Sequence, residues 1–547
     1  MGVISWYKKA SAPPRSDLSY TNDEIQSKFA EFYTTDYEVS KSDRFLAQFW
    51  DSFDKAPAYK RYLHKLDACV MSYFFLSFFI KTLDNTNVSN AYVSGMQEAL
   101  NLNGQQRNLF NTFQYLGVIV GSVPGQAIMH NNIRPAIWVP LCEVLWSIVV
   151  IAMAAVQNAK TIYALKFIIG LLEASNYPAI AQILGAWYRP EEIAKRMSVY
   201  DISAAVGSMC SGFIQSGVYA TLNGAAGLAG WRWLFVIDGI ISLPIAVLGF
   251  YCLPDYPYNT RAVWLTEKEK EFSVIRSMEM GKKQKKHMTV KKFLSFFKSW
   301  RIYGFSWPYI LFNIATTYSY FNLWLKALDM YSVEQINLIP CAGYGGAIVI
   351  TYIFANFSDR VKKRAPFILA SVFLTFLGNM LLQIWEIPFA LKYIAQFLLE
   401  LGYPVWALIL TWSAESFQDD PELCGILTAF GNTISNAISA WLPLVAFPTQ
   451  DAPRYKWGYG FMAGLNVLSA IGVFFFVYME RRENRKLGRV LNKYGLAVDV
   501  ADIKDYETNG PTILHSDSAE EISEKKPPMV TSRTIELDDV DLDKIEK

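Results

Sequence analysis

The chain has 547 residues, of which 52% are hydrophobic and 18% charged, and its mean hydropathy is positive. This apolar excess argues against an ordinary soluble domain and is typical of a membrane protein. The formal net charge of +2 gives no sign of a nucleic-acid partner, because lysines and arginines gather in particular loops while the end of the chain is acidic. The cysteines and histidines lack C-x-x-C and H-x-x-x-H spacing, so no metal site and no cofactor are expected.

The apolar residues are grouped in twelve long runs. A helix that crosses a bilayer core of about 30 Å needs roughly 20 apolar residues, and each run is about this long. The runs cover residues 66–84, 108–129, 136–156, 162–183, 199–220, 233–253, 302–325, 338–357, 365–385, 391–413, 425–447 and 457–479. The sequence therefore predicts an all-α membrane protein with twelve transmembrane helices in two six-helix halves.

Positive charge alternates between the loops. Cations are dense after most even-numbered runs, as in the lysine-rich stretch 282–292, and sparse after odd-numbered ones, where Arg107 is one of a few scattered loop cations. By the positive-inside rule, both termini and the loop between the halves face the cytoplasm. The predicted segments are a cytoplasmic N-terminal tail (1–64), an N-terminal six-helix bundle (65–253), a basic cytoplasmic loop (254–301), a C-terminal six-helix bundle (302–480) and a disordered cytoplasmic tail (481–547).

A loop motif recurs at equivalent places in the two halves. After the eighth run the chain reads ANFSDRVKKRAP, and after the second it reads GQAIMHNNIRP. Both resemble the G-x-x-x-D-R/K-x-G-R-R/K signature of major facilitator superfamily transporters, but Met129 replaces the acidic residue in the first copy. Because the motif pairs an acid with a helix N-terminus and a cation, we predict a gate at Asp359 and Arg360.

Three segments resemble a more specific family. KTLDNTNVSNAYVSGMQEAL (81–100), LKFIIGLLEASNYPA (165–179) and NGAAGLAGWRWLFVIDG (223–239) are similar to segments of the anion:cation symporter family, in its fungal allantoate permease branch. The resemblance covers roughly residues 65–480 and implies the major facilitator fold. It also implies proton-coupled import of a small organic anion, with the vitamins biotin and pantothenate favoured and nicotinate, allantoate or another organic acid as alternatives.

The fourth run contains two ionisable residues, Lys166 and Glu173. A charge inside a bilayer is costly and marks a functional site by default. Seven residues are two helical turns, so both side chains lie on one face about 10 Å apart. We predict that Lys166 attracts the substrate carboxylate and Glu173 takes the coupling proton. The alternative is that each forms a structural pair with another helix.

Further residues complete the predicted site. The family usually has Arg where this chain has Lys166, and in its helix 1 motif an Arg follows the Asp where this chain has Asn85. The anion site therefore has fewer cations, and Lys81 is expected to assist. Asp84 is a second candidate for proton coupling, with helix capping as the alternative. The remaining candidates for substrate binding, for which an interfacial aromatic belt is an alternative explanation of the rings, are Tyr320, Asn322 and Trp406.

Several classes of protein are disfavoured. The chain has no G-x-x-x-x-G-K-[ST] motif and no G-x-S-x-G or H-E-x-x-H cluster, so neither an ATP-driven pump nor an enzyme is expected. A nutrient receptor that binds such a ligand without transporting it remains the alternative. The expected partners are a small organic anion, protons and the lipid bilayer. We expect a monomer with many spans in the plasma membrane.

Overall fold

The computed structural model describes residues 22–34, 39–47, 50–131, 133–279, 295–316, 320–361, 363–417, 421–486, 489–491 and 497–499. Twelve helical spans form the membrane-spanning bundle, and each is numbered here in chain order. The spans are Pro57–Ala99 (span 1), Gln106–Asn131 (span 2), Pro135–Ala152 (span 3), Ala159–Glu173 with Asn176–Trp187 (span 4), Pro190–Leu222 (span 5), Gly230–Cys252 (span 6), Trp300–Thr316 with Phe321–Ala327 (span 7), Val333–Val361 (span 8), Ala365–Ile384 (span 9), Phe389–Glu400 with Pro404–Ser416 (span 10), Pro421–Ser439 with Leu442–Ala446 (span 11) and Gly458–Lys486 (span 12). A short antiparallel sheet pairs Arg489–Leu491 with Ala497–Asp499.

The surface of the bundle is suited to lipid. Eight spans are long and apolar enough to cross a membrane by length and composition alone. Large apolar side chains such as Ile240, Phe373 and Phe474 are about 60% exposed. Hydrocarbon tails solvate such side chains as well as a protein core does, whereas ionisable groups avoid them. Ionisable residues in the middle of the spans, such as Lys166, Glu173 and Asp238, accordingly lie inside the bundle.

The two halves contact each other along two seams. In the first half, span 1 packs on span 5, span 2 on span 4 and span 3 on span 6. In the second half, span 7 packs on span 11 and span 9 on span 12, which are two of the equivalent pairs. Span 5 packs along span 8, and span 2 packs along span 11. These four helices hold the halves together around a central region.

Spans 4 and 10 are interrupted at equivalent places. Span 4 breaks after Glu173 in the sequence LLEASNYP, and span 10 breaks after Glu400 in LLELGYP. Proline disfavours the helical conformation of the residue before it and is best tolerated in the first turn of a new helix. Both breaks lie just before or at such a first turn, so the shared sequence explains the shared interruption.

Span 1 is longer than the predicted run 66–84. It begins at Pro57 and ends at Ala99, with π-helical turns at Asp67–Met71 and Tyr92–Met96. The polar residues near Asp84, which suggested a helix end, lie instead within the span. They do not terminate the helix because neighbouring helices surround them inside the bundle.

Part of the segments predicted as tail and loop is folded. Asn22–Tyr33, Glu267–Glu279 and the first turns of span 1 ahead of the predicted run, Pro57–Leu66, pack beside the start of span 5, and together they are called the cap. The lysine-rich stretch 282–292 and residues 500–547 lie outside the described residues. The end of the bundle that carries the cap is called the cap end, and the opposite end, with the connections 100–105, 156–158 and 223–229, the loop end.

The cap is held by aromatic stacking around one side chain. The ring of Phe272 stacks on Phe32 with centroids 4.1 Å apart, and Tyr59 and Tyr62 meet it edge-on at 5.7 and 5.4 Å. Lys65 adds a 2.7 Å ion pair with Glu269. The helix before the first membrane crossing and the helix of the linker are therefore joined into one unit.

Charged pairs fasten the cap to span 5. Glu192 accepts a hydrogen bond of 2.7 Å from Tyr59 and contacts the guanidinium of Arg276. One turn further on, Arg196 binds Asp67 at 2.7 Å and Asp51 at 3.0 Å. These groups are largely removed from solvent, where charged hydrogen bonds are strong and directional.

Candidate functional site

Gln114 of span 2 connects the two charged residues of span 4. The Lys166 ammonium donates to Gln114 Oε1 at 3.2 Å, and Gln114 Nε2 donates to Glu173 Oε2 at 3.1 Å. The same Nε2 donates to Asn85 of span 1 at 2.5 Å. Lys166 and Glu173 are almost completely buried. One neutral amide thus joins a buried cation, a buried acid and a third helix, and these four residues are called the Gln114 network.

The carboxylate of Glu173 is only partly satisfied. Oε1 is buried and has no hydrogen-bond partner among the described residues. Glu173 is the last residue before the break in span 4, so its side chain lies at the point where the helix changes course. A buried carboxylate oxygen without a donor is costly, and it is a place where a proton or a substrate group can bind.

Close packing of glycines sets the distance between spans 2 and 4. A Cβ on Gly170 would lie 2.0 Å from the backbone oxygen of Gln114, and one on Gly117 would lie 2.2 Å from that of Phe167. Small residues let helix backbones approach in membranes. Gln114 reaches both charged residues of span 4 because these glycines remove side chains from the contact.

A second acidic pair lies beside the Gln114 network. Asp84 of span 1 is buried, and neither of its oxygens accepts a hydrogen bond from a described donor. It faces Asp238 of span 6, which accepts hydrogen bonds from Asn87 at 2.5 Å and Ser242 at 3.3 Å. The pair places two carboxyl groups together within the membrane-spanning part of the first half.

The remaining predicted substrate residues are divided among three places. Lys81 is partly exposed, and its charge faces Glu173 from span 1. Asn322 lies at the seam between the halves, where it donates to Asn90 at 2.5 Å. Tyr320 lies at the same seam, and Trp406 packs edge-on against Tyr309 at 6.0 Å, deeper in the second half. Of the predicted substrate residues, only Asn85 and Lys81 accompany Lys166 at the Gln114 network: Asn85 bonds Gln114, and Lys81 faces Glu173.

The residue that contacts Asp359 is Arg364. Its guanidinium hydrogen-bonds Asp359, Ser358 at 2.9 Å and Glu415 of span 10 at 2.6 Å. Arg360 is exposed and has no described bond to Asp359. The role of Asp359 as a gate stays a prediction. Its cationic partner is Arg364, at the end of the loop motif, and not Arg360, which directly follows Asp359.

The first copy of the motif has a different partner. Arg134 binds Asp255 at 3.0 Å, and this acid lies three residues after the end of span 6. Since Met129 stands where the motif has its acid, the arginine is paired with an acid from the linker instead. The two copies of the motif therefore form different ion pairs: the first joins its arginine to the linker, and the second joins its arginine to Asp359 and to span 10.

Sequence reasoning missed several buried ionisable residues, among them Arg107, Glu143 and Asp201. Glu143 accepts a hydrogen bond of 2.6 Å from Tyr73, a second from Ser77 and a third of 3.0 Å from Asn176. The rule that flagged Lys166 applies equally to an acid in the run PAIWVPLCEVLWSIVVIA. Arg107 was assigned to a loop, but it lies in the first turn of span 2.

Polar contacts between the halves cluster toward the loop end. Lys326 of span 7 donates to Glu98 at 2.7 Å and to Gln97 at 2.9 Å. Asn108 of span 2 donates to the backbone oxygens of Pro443 and Phe447 in span 11 at 3.2 and 2.7 Å. These contacts join the two halves on the loop-end side of the Gln114 network.

Two six-helix halves joined along two seams, with buried charges between helices, define a membrane transport protein. The chain belongs to the major facilitator superfamily, whose family model matches residues 74–443. This membership confirms the predicted twelve-span fold and agrees with the expectation that the protein is not an enzyme. The resemblance to this superfamily noted in the sequence is likewise confirmed.

Similar proteins and structures agree with this assignment. The chain is 33% identical to the pantothenate transporter liz1 of Schizosaccharomyces pombe over 78% of this chain and 83% of that one. It is 30% identical to the vitamin H transporter of Saccharomyces cerevisiae over 86% and 82%. A solved structure of the proton:xylose symporter XylE matches with a TM-score of 0.59 at 13% identity, covering 75% of this chain and 95% of that chain. At this identity the structural match supports the fold alone.

Proposed function

We propose that the protein is a proton-coupled symporter that imports a small organic anion, with biotin or pantothenate as the favoured substrate. The single observation that carries the proposal is the Gln114 network, in which one amide links Lys166 to Glu173. A buried ammonium supplies the attraction for a carboxylate, and a buried acid with an unsatisfied oxygen supplies a place for a proton. The similarity to fungal pantothenate and vitamin H transporters supports the choice of substrate class.

The arrangement provides a physical route to coupling. A substrate carboxylate beside Lys166 adds negative charge close to Glu173, and this charge favours protonation of the acid. By linkage, a proton on Glu173 then favours binding of the carboxylate to the same extent. Asp84 and Asp238 offer a second place for a proton nearby. Symport follows if the carrier reorients only with both ligands bound or both absent.

The proposal extends to the surroundings of the protein. We place the cap end and both termini in the cytoplasm, the substrate outside and the chain in the plasma membrane as a monomer, on the basis of loop charge and the resemblance. Import then begins at the loop end. Nicotinate, allantoate or another organic acid are alternative substrates of the same site.

Uptake in yeast lacking its own vitamin permeases tests the proposal. Cells that express the chain are given radiolabelled biotin, pantothenate, nicotinate or allantoate, with and without a protonophore. We expect concentrative uptake of biotin or pantothenate that the protonophore abolishes. Uptake of none of the four contradicts the substrate class, and uptake that ignores the protonophore contradicts proton coupling.

A nutrient receptor is the alternative of another class. A receptor needs its tails for signalling, whereas a carrier needs only the bundle. Removing residues 500–547 should leave uptake in place if the protein is a transporter. Ligand-dependent signalling without accumulation of label would favour the receptor instead.

A further inference from the structure

Arg107 is a buried cation whose contacts among the described residues are all with neutral groups. It lies in the first turn of span 2 and is 6% exposed. Its guanidinium donates to Ser89 Oγ at 3.0 Å and to Asn108 Oδ1 at 3.5 Å, and it lies 4.9 Å from the centre of the Tyr320 ring. No described carboxylate lies within ion-pair distance of it.

The other buried arginines of the described chain behave differently. Arg196, Arg276 and Arg364 each contact at least one carboxylate. Removing a cation from water without an opposite charge is costly, and such a cation in a membrane protein marks a functional site. The interaction with an aromatic ring offsets only part of that cost. Arg107 can therefore form an ion pair with an anionic ligand.

Arg107 lies on the same wall as the Gln114 network. It precedes Gln114 by seven residues, which is two turns of span 2 and roughly 10 Å along its axis. Its partner Ser89 follows Asn85 by four residues, one turn of span 1 or about 6 Å. Both relationships put Arg107 nearer the loop end, above the network and on the same helix faces.

The ring that covers Arg107 belongs to the other half. Tyr320 of span 7 is buried, and it stacks on Phe447 of span 11 with centroids 4.7 Å apart. Arg107 and Ser89 lie in the first half, so separation of the halves at the loop end draws the ring away from the guanidinium. The planar fork of an arginine then fits a carboxylate with two parallel hydrogen bonds.

We infer that Arg107 is an outer binding site for the carboxylate of the substrate, reached from the loop end before the carboxylate passes to Lys166. The ring of Tyr320 takes the place of the carboxylate when the loop end closes. The ligand class is a monocarboxylate whose remaining atoms carry no charge. This inference rests on the proposed function, because it concerns the same substrate.

The test compares Arg107→Gln and Arg107→Lys with Arg232→Gln. Arg232 is a matched control at the loop end, since it is also held by neutral groups, the backbone oxygen of Ala154 and the ring of Trp231, but lies away from the seam. The measurements are KM for uptake of the vitamin that the unaltered protein carries, and inhibition of that uptake by the vitamin's amide or methyl ester. Surface expression is quantified for every variant.

Arg107→Gln should raise KM about tenfold or more and reduce the preference for the acid over its amide, while Arg232→Gln changes neither. Arg107→Lys should keep part of that preference, and this variant decides the question if Arg107→Gln fails to reach the surface. Lower maximal uptake with an unchanged preference for the acid would show that Arg107 is only a structural contact. If the unaltered protein carries no carboxylate, the proposed function itself fails; if it carries one and the variants keep KM and preference, only this inference fails.

Discussion

Glu143 of span 3 accepts a hydrogen bond of 3.0 Å from the side-chain amide of Asn176, the residue that begins the second helix of span 4. Tyr73 and Ser77 of span 1 donate to the same carboxylate. Spans 1, 3 and 4 therefore meet at the carboxylate of Glu143. Its partner in span 4, Asn176, lies three residues past Glu173. The break in span 4 is fixed on one side by Glu143 and on the other by the Gln114 network.

Replacing Glu143 with Gln should lower stability. An amide presents one acceptor oxygen in place of two, so at least one buried donor loses its partner, at a cost of about 1–3 kcal/mol. We expect a lower midpoint of thermal unfolding in detergent and lower maximal uptake, with little change in KM because Glu143 does not contact Lys166. Ser147→Ala is the control, since Ser147 donates only to the backbone oxygen of Glu143. A large rise in KM would instead assign Glu143 to the substrate site.

Replacing Glu173 with Gln should separate exchange from accumulation. The amide keeps the shape of the side chain but cannot release a proton, so concentrative uptake is expected to disappear while counterflow exchange continues. The pH dependence of exchange should also flatten. Asp329→Asn changes an exposed acid toward the loop end and serves as the control. Unchanged pH dependence in Glu173→Gln removes this residue from the proton role.

Adding a methyl group to Gly170 should disturb the site from a distance. The new Cβ would lie 2.0 Å from the backbone oxygen of Gln114, so spans 2 and 4 must move apart. Overpacking of this kind costs typically 1–3 kcal/mol. Gly170→Ala should therefore reduce both thermal stability and uptake. Gly185→Ala in the same span meets nothing within 4 Å, and equal losses in the two variants would contradict this account.

The ion pair between Glu192 of span 5 and Arg276 of the cap should be insensitive to pH in the physiological range. Glu192 is buried, its carboxylate contacts Arg276, and its backbone oxygen accepts a hydrogen bond of 2.7 Å from Arg196, so nearby positive charge favours the ionised carboxylate. Protonation of Glu192 removes this ion pair, so its contribution to stability is present at neutral pH and is lost only in acid.

Thermal unfolding of purified protein between pH 3 and 8 measures this dependence. We expect Glu192→Gln to be less stable than the unaltered protein at pH 7, with the difference shrinking as the pH approaches 3. Glu267→Gln, which alters an exposed acid of the cap, should show no such convergence. A difference that already vanishes between pH 5 and 7 would assign the stability to another group.

The twelve spans and their division into halves follow from the sequence alone. A helix that crosses a lipid bilayer must be long and apolar, and both properties can be recognised from the residues of that helix alone. The positions of Lys166 and Glu173 were likewise evident, because a charge in an apolar run stands out. The same rule would have found Glu143, had it been applied to every run.

The tertiary structure decided which groups meet. Gln114 is neutral and unremarkable in sequence, yet it joins Lys166 to Glu173 because glycines bring spans 2 and 4 together. Arg107 was assigned to a loop until the packing of span 7 buried it beneath Tyr320, and the cation beside Asp359 proved to be Arg364. The length of an apolar run is a property of one helix and can be measured from the sequence. The hydrogen-bond partner of a buried polar side chain depends on how helices that are distant in sequence pack together, and hydropathy does not predict that packing.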